Sequence, residues 1–194
     1  MNLLFFDAEF TGLHKNTTLI SLGIVSEDGK KFYAEFTDYD ESQCDDWIKE
    51  NVINKLKFEL ELGEHFWERE HDGNVEALCD RECVSYWLNK WLSQFDTIQF
   101  VSDVCHYDFV LLMDLLTNGG TAIDLPENIS AVCHDLNVDI ARHFHVSDRE
   151  AFDMSREQIM FSVCNGGVLL DGDKHNSLYN AGVIKSIYKE IKYV

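Results

Sequence analysis

Phe5-Phe6-Asp7-Ala8-Glu9-Phe10 sets two carboxylates into an otherwise apolar opening run. In an extended strand, side chains two apart share a face and lie about 6.5–7 Å apart along the chain, so Asp7 and Glu9 can converge on one cation. Burying such a pair is costly unless positive charge compensates it. On its own the pair also fits an ordinary strand end, where acidic groups sit on the wet side of an alternating sheet.

Working outward, residues 3–6, 17–25 and 31–36 are apolar or β-branched runs, and Glu27-Asp28-Gly29-Lys30 between the last two is an Asp-Gly hairpin signal. A three-strand meander is expected. Residues 40–53 carry Trp47, Ile48, Val52 and Ile53 at helical spacing, whereas residues 56–80 are charged and weakly periodic, with Phe66 and Trp67, and read as an insertion. From 80 to 95, Val84, Trp87, Leu88, Trp91, Leu92 and Phe95 recur at three- and four-residue steps. That spacing predicts a helix whose aromatic stripe is core. Residues 97–102 read as a buried strand and 107–116 as the helix it feeds, stopped by Asn118-Gly119-Gly120. Residues 128–144, 155–164 and 176–191 have helical patterns, with loops at Gly166-Gly167 and Asp171-Gly172-Asp173. This order predicts an α/β fold, a mixed sheet flanked by helices.

The bulk composition narrows the function classes. At 194 residues and 45% apolar, the chain is long enough for one substantial core, so a single domain over 1–194 is expected. Met1 to Phe6 has no basic leader or cleavage site, and no run approaches the ~20 apolar residues of a bilayer span. The six cysteines include no C-x-x-C pair, which favours free thiols over zinc and fits a cytoplasmic setting. A net charge of −19 argues against broad attraction to nucleic acid, because phosphates are met by Lys and Arg. It leaves open a nuclease whose clustered carboxylates hold divalent cations that receive the phosphate.

Two further constellations carry chemistry. His106-Tyr107-Asp108-Phe109 follows the buried strand and opens an apolar helix, where Asp108 either favours the helix N-terminus or reaches a site; Asp103 is a second candidate. His175-Asn176-Ser177-Leu178-Tyr179-Asn180-Ala181 opens the last helix. Asn176 or Ser177 can cap it, leaving His175 outside the helix and Asn180 in its first turns. A histidine there is either plain surface or swings toward a site on the adjacent sheet.

Asp-x-Glu on the first strand, Asp on the helix after a later strand and His-x4-Asp at the final helix form the pattern of the DEDDh branch of the DEDD 3′→5′ exonucleases. The chain resembles it at every position but the last. More narrowly, Asp7-Ala8-Glu9-Phe10, Leu19-Ile20-Ser21-Leu22-Gly23-Ile24-Val25, Glu27-Asp28-Gly29 and Tyr33-Ala34 are similar to the opening of the RNase AS-like 3′-exoribonucleases. The likeness continues at 47–56, Tyr107-Asp108 and 175–181, and thins at insertions near 57–80 and 129–172. It implies a ribonuclease-H-like fold, a homodimer, and hydrolysis of the terminal phosphodiester at an RNA or single-stranded DNA 3′ end. It also implies two Mg²⁺ or Mn²⁺ ions, with Asp7 bridging both, Glu9 on the nucleophile side and Asp108 orienting the other through its waters. His175 becomes the general base, a role that suits the imidazole side chain.

The departure is Asn180, a neutral carbonyl and amide where the family has an anionic ligand. Either the residue is a substitution that traps substrate, or the natural chain has reduced activity or another ligand such as Asp171 or Asp173. The expected activity is therefore a metal-dependent 3′→5′ exoribonuclease or its point-inactivated form. The alternatives are an exodeoxyribonuclease and a binding module for nucleic-acid ends that has lost catalysis.

Overall fold

The computed structural model describes residues 1–58, 67–165 and 168–191. Strand β1 (Asn2–Phe10) is buried on both faces along most of its length, as its unbroken apolar run requires. It pairs antiparallel with β2 (Leu19–Ser26), which pairs antiparallel with β3 (Lys31–Phe36), giving the expected meander. After β3 the expected helix over 40–53 is shorter. A 3₁₀ turn (Glu41–Gln43), helix α1 (Asp46–Asn51) and a second 3₁₀ turn (Ile53–Lys55) follow one another. Asp40 and Asp45 each cap a new segment, which divides the helical pattern.

Within the stretch read as an insertion, residues 67–79 form a β-hairpin. Strands β4 (Trp67–His71) and β5 (Asn74–Cys79) meet at Asp72 and Gly73, with φ of 50° and 76°, and β5 adds parallel to β3. Phe66 lies outside the described residues, as do Gly166 and Gly167. Helix α2 (Arg81–Leu92) buries Val84, Leu88, Trp91 and Leu92 against the sheet, so its aromatic stripe is core, with Trp87 partly buried beside it.

Strand β6 (Ile98–Ser102) lies parallel to β1 and feeds α3 (Cys105–Thr117), which ends at Asn118 in the left-handed region. Residues 128–135, expected to be helical, instead run along the sheet edge. The Ile98 N–H donates to Asn128 O, Ser130 N–H donates to Ile98 O, and β7 (His134–Asp135) joins β6. Backbone groups committed to a sheet cannot also close helical turns. Helices α4 (Leu136–Phe144), α5 (Asp148–Asp153), α6 (Arg156–Val163) and α7 (Ser177–Ile191) complete the chain.

The sheet order is β4-β5-β3-β2-β1-β6-β7. One face packs Leu4, Phe6, Phe32 and Phe100 against α2 and α3; the other packs Phe5 and Val101 against α4, α6 and α7. Because β1 and β6 are parallel, their C-terminal ends lie at one edge, which brings Asp7 and Glu9 toward Ser102, Asp103 and the first turn of α3. Among the described residues no helix is long and apolar enough to cross a membrane.

Candidate active site

Four acidic side chains meet at the C-terminal ends of β1 and β6. Asp7, Asp103 and Asp108 each offer a carboxylate oxygen within 4.8 Å of the others. All three are buried, Asp108 to 1% exposure, and it is held by the Ser102 hydroxyl, which donates to its Oδ2 at 2.9 Å. Burial pushes the Asp7 carboxyl well above the usual carboxylate range; the charges of Asp108, Glu9 and Asp103 push it further, and the Asn180 amide partly opposes them. Asp108 is raised in the same way, by burial first and then by Asp103, against the Ser102 hydrogen bond. Glu9 is raised by burial and drawn back by His175 and Lys174.

Asn180 reaches this cluster from the first turns of α7. Its Nδ2 donates to Asp7 Oδ2 and Glu9 Oε1, at 3.2 Å each. This is possible because α7 begins directly on β2, opposite Gly23, whose missing side chain leaves room for the Ser177–Leu178 backbone. Asn176 caps the helix: its Oδ1 accepts from the N–H groups of Leu178 and Tyr179. His175, just outside, has a φ of 67° and packs edge-on against Trp47 with ring centres 5.1 Å apart. Its Nδ1 lies 3.8 Å from Glu9 Oε1, beyond a hydrogen bond.

Asp103, a second candidate in the sequence, stands inside the cluster, and its partner was not foreseen. Arg156 Nε donates to Asp103 Oδ2 at 2.5 Å, and its other nitrogens bond Ala151 O, Met154 O and Asn137 Oδ1. Asp171 and Asp173, considered as replacement ligands, are elsewhere: Asp173 pairs with Lys55, and Asp171 lines a separate depression beside Lys185. Two clefts open from the acidic centre and share Asp7, His175, Asn180 and Phe152. One, of about 470 Å³, has apolar walls including Phe10, Leu13 and Trp47; the other, of about 370 Å³, carries Arg156 and Lys174.

The donor set fits hard divalent cations. Carboxylate oxygens are their preferred ligands, and the mutual repulsion of Asp7, Glu9, Asp103 and Asp108 is what a cation at their centre relieves. Asn180 weakens that fit, because its amide offers one neutral oxygen and presents its nitrogen to the carboxylates.

No family model matches the chain. It is 38% identical over 52 residues to a 3′-5′ exoribonuclease of Mycobacterium tuberculosis, found in strains CDC 1551 and H37Rv. The match covers 27% of this chain and 31% of those relatives, so the chain spans under a third of their length. Among solved structures it is similar to a 3′-exonuclease described as recognising the 3′ end of a histone mRNA stem-loop. That likeness has a TM-score of 0.61 and 10% identity, and covers 98% of this chain and 62% of the other. The mixed sheet flanked by helices is thus the fold of a 3′-exonuclease, and in a quarter of its sequence the chain is similar to 3′-5′ exoribonucleases.

Proposed function

We propose that this chain is a divalent-metal-dependent 3′→5′ exonuclease that acts on RNA 3′ ends, with Asp7, Glu9, Asp108 and position 180 as metal-facing groups and His175 as the general base. The observation that carries the reading is the convergence of Asp7, Asp103 and Asp108 within 4.8 Å, with Asn180 bridging Asp7 and Glu9. When bound, Mg²⁺ or Mn²⁺ supplies positive charge to the attacking and departing oxygens of a phosphodiester. The chain's own residues do the rest. Glu9 Oε1 stands 3.8 Å from His175 Nδ1, and Trp47 packs against its ring, so the base is oriented before substrate arrives. His175 takes a proton from the attacking water. The apolar cleft accepts the terminal nucleoside, and Lys174, on the wall of the second cleft, faces the phosphate on its 5′ side, where it offsets the acidic centre. The same reading includes a single domain and a cytoplasmic homodimer.

A second reading is favoured by one observation. Asn180 is neutral where the resemblance implies an anionic ligand, and its amide donates to Asp7 and Glu9, which suits a module that binds a 3′ end and cleaves it poorly. A Mn²⁺ titration on matched RNA and DNA oligonucleotides labelled at the 5′ end decides between them. Stepwise 3′ shortening that requires metal and is slowed on the order of 10²–10⁴-fold by His175→Ala supports the exonuclease. Metal-independent binding without shortening supports the module, and faster shortening of DNA reassigns the substrate.

A further inference from the structure

Glu35 is a buried carboxylate, 1% exposed on β3, that takes no part in the acidic cluster. Its Oε1 accepts the Tyr33 hydroxyl at 2.6 Å, together with the backbone N–H groups of Lys57 and Phe58. Tyr33 Oη in turn accepts from Asn176 Nδ2 at 3.2 Å, and that nitrogen also donates to Lys55 O at 3.3 Å. The other end of the same amide, Oδ1, caps α7 at 3.1 and 3.2 Å.

The order of donors in this chain has only one consistent sense. A phenol carries one proton; with Glu35 taking it, Tyr33 Oη is left as an acceptor toward Asn176. An acceptor there turns Nδ2 of Asn176 toward Tyr33 and therefore Oδ1 toward the open N–H groups of the helix. Burial and the Glu35 charge push the Tyr33 phenol up, which favours the protonated hydroxyl that donates to Glu35. Asn176 lies between His175, with its left-handed φ of 67°, and Asn180, whose N–H donates to Asn176 O at 2.9 Å.

We propose that Glu35, Tyr33 and Asn176 form a positioning relay that fixes the amide sense at the start of α7 and thereby holds His175 between Glu9 and Trp47. The catalytic part of this proposal rests on the reading of His175 as general base; the structural part does not. Loss of the Glu35 acceptor frees the Tyr33 proton to point at Asn176, which sets donor against donor and turns the cap around.

The test uses Tyr33→Phe, Glu35→Gln and Glu35→Leu in the full chain. Glu35→Gln keeps an acceptor oxygen for Tyr33, so it serves as the conservative rescue. The first readout is the nuclear Overhauser contact between the Trp47 and His175 rings in metal-free protein, which needs no activity. It is expected to weaken in Tyr33→Phe and Glu35→Leu and to persist in Glu35→Gln. The second is RNA shortening with Mn²⁺, in the chain as it stands and with Asn180→Asp added. There kcat should fall roughly 10²-fold in Tyr33→Phe, the scale of a small misplacement of a catalytic group, with KM within about twofold. If Glu35→Leu does not fold, Tyr33→Phe alone, which removes one oxygen, carries the test. An undisturbed Trp47–His175 contact in Tyr33→Phe overturns the relay, as does a Glu35→Gln variant as impaired as Glu35→Leu. If no variant cleaves RNA while the contact follows the predicted order, the relay stands and the exonuclease reading fails.

Discussion

Asn180 Nδ2 lies 3.2 Å from Asp7 Oδ2, and the same nitrogen lies 3.2 Å from Glu9 Oε1. A neutral donor therefore clamps two carboxylates that otherwise repel each other, and in the metal-free protein it does part of what a cation would do. A hydrogen bond of this kind contributes about 0.5–1.5 kcal/mol, more when its acceptor is ionised, so position 180 bears on both the stability of the metal-free site and its need for metal.

Asn180→Asp should reverse that balance. Without metal, the new carboxylate removes two donated hydrogen bonds and adds repulsion to a buried cluster, so the melting temperature should fall by several degrees, at about 2–4 °C per kcal/mol for a chain of this size. With Mn²⁺ the variant should regain more than it lost, and 3′ shortening of RNA should speed up on the order of 10²-fold, the scale of one preorganised electrostatic contact. Thermal melts with and without Mn²⁺ read the first effect and gel-resolved shortening the second. A lower melting temperature that Mn²⁺ does not recover would remove position 180 from the metal-facing set.

The raised carboxylates give the metal-free protein a pH dependence of known sign. Asp7 and Asp108 are pushed above their ordinary range, chiefly by burial and then by neighbouring carboxylates, so the folded state holds their protons more tightly than the unfolded chain. Their contribution is whole below about pH 4, the unfolded value, and is lost as pH rises through the raised folded values. Asp108→Asn cannot lose a proton. Its melting temperature relative to the unmodified chain should therefore rise as the pH climbs above about pH 4 and through the raised folded values, and saturating Mn²⁺ should abolish the trend in the unmodified chain. A difference that stays flat with pH would mean the cluster is not desolvated in solution.

How much of this was readable before folding follows from which signals are local. The meander of β1, β2 and β3 was legible because alternation, length and the Asp28-Gly29 turn all lie within a few residues of one another. The hairpin of β4 and β5 was not, because β4 is a charged edge strand with only Trp67 partly covered; its one local signal, Asp72-Gly73, sits between residues that read as solvent-facing. Residues 128–135 looked helical, but their backbone goes to β6, a choice made by tertiary pairing. At the site, Asp7, Glu9, Asp108, His175 and Asn180 stand out by residue type and order. The partner of Asp103 does not: Arg156 is 53 residues away and reaches it only after α6 has docked.

Arg156 and Asp103 form a nearly buried pair, with side chains 15% and 11% exposed, that Asn137 completes through Asp103 O and Arg156. Removing one partner leaves a desolvated charge, so Arg156→Met should destabilise the metal-free protein by about 3–5 kcal/mol. Asp103→Asn with Arg156→Met should cost clearly less than the sum of the single changes. Chemical denaturation of the four proteins gives the coupling directly. Strict additivity would show that the pair does not exist in solution.

Gly23 links the fold to the chemistry more directly than any residue of the acidic cluster. It pairs across the sheet with Asp7, and a Cβ there would sit 2.3 Å from the Ser177 carbonyl carbon and the Leu178 nitrogen, both backbone atoms that cannot step aside without moving the start of α7. That start carries His175 and Asn180. Gly23→Ala should therefore cost about 1–3 kcal/mol, the usual range for overpacking, and should also loosen Mn²⁺ binding by drawing Asn180 away from Asp7. Gly29→Ala is the control. Its φ of 99° strains a turn where an added Cβ meets no atom within 4 Å, so it should cost a similar amount through the backbone alone and leave Mn²⁺ affinity unchanged. Denaturant melts and isothermal Mn²⁺ titrations on both variants separate the two effects. Equal Mn²⁺ affinity in Gly23→Ala and the unmodified chain would show that the contact of α7 with β2 does not set the geometry at Asp7.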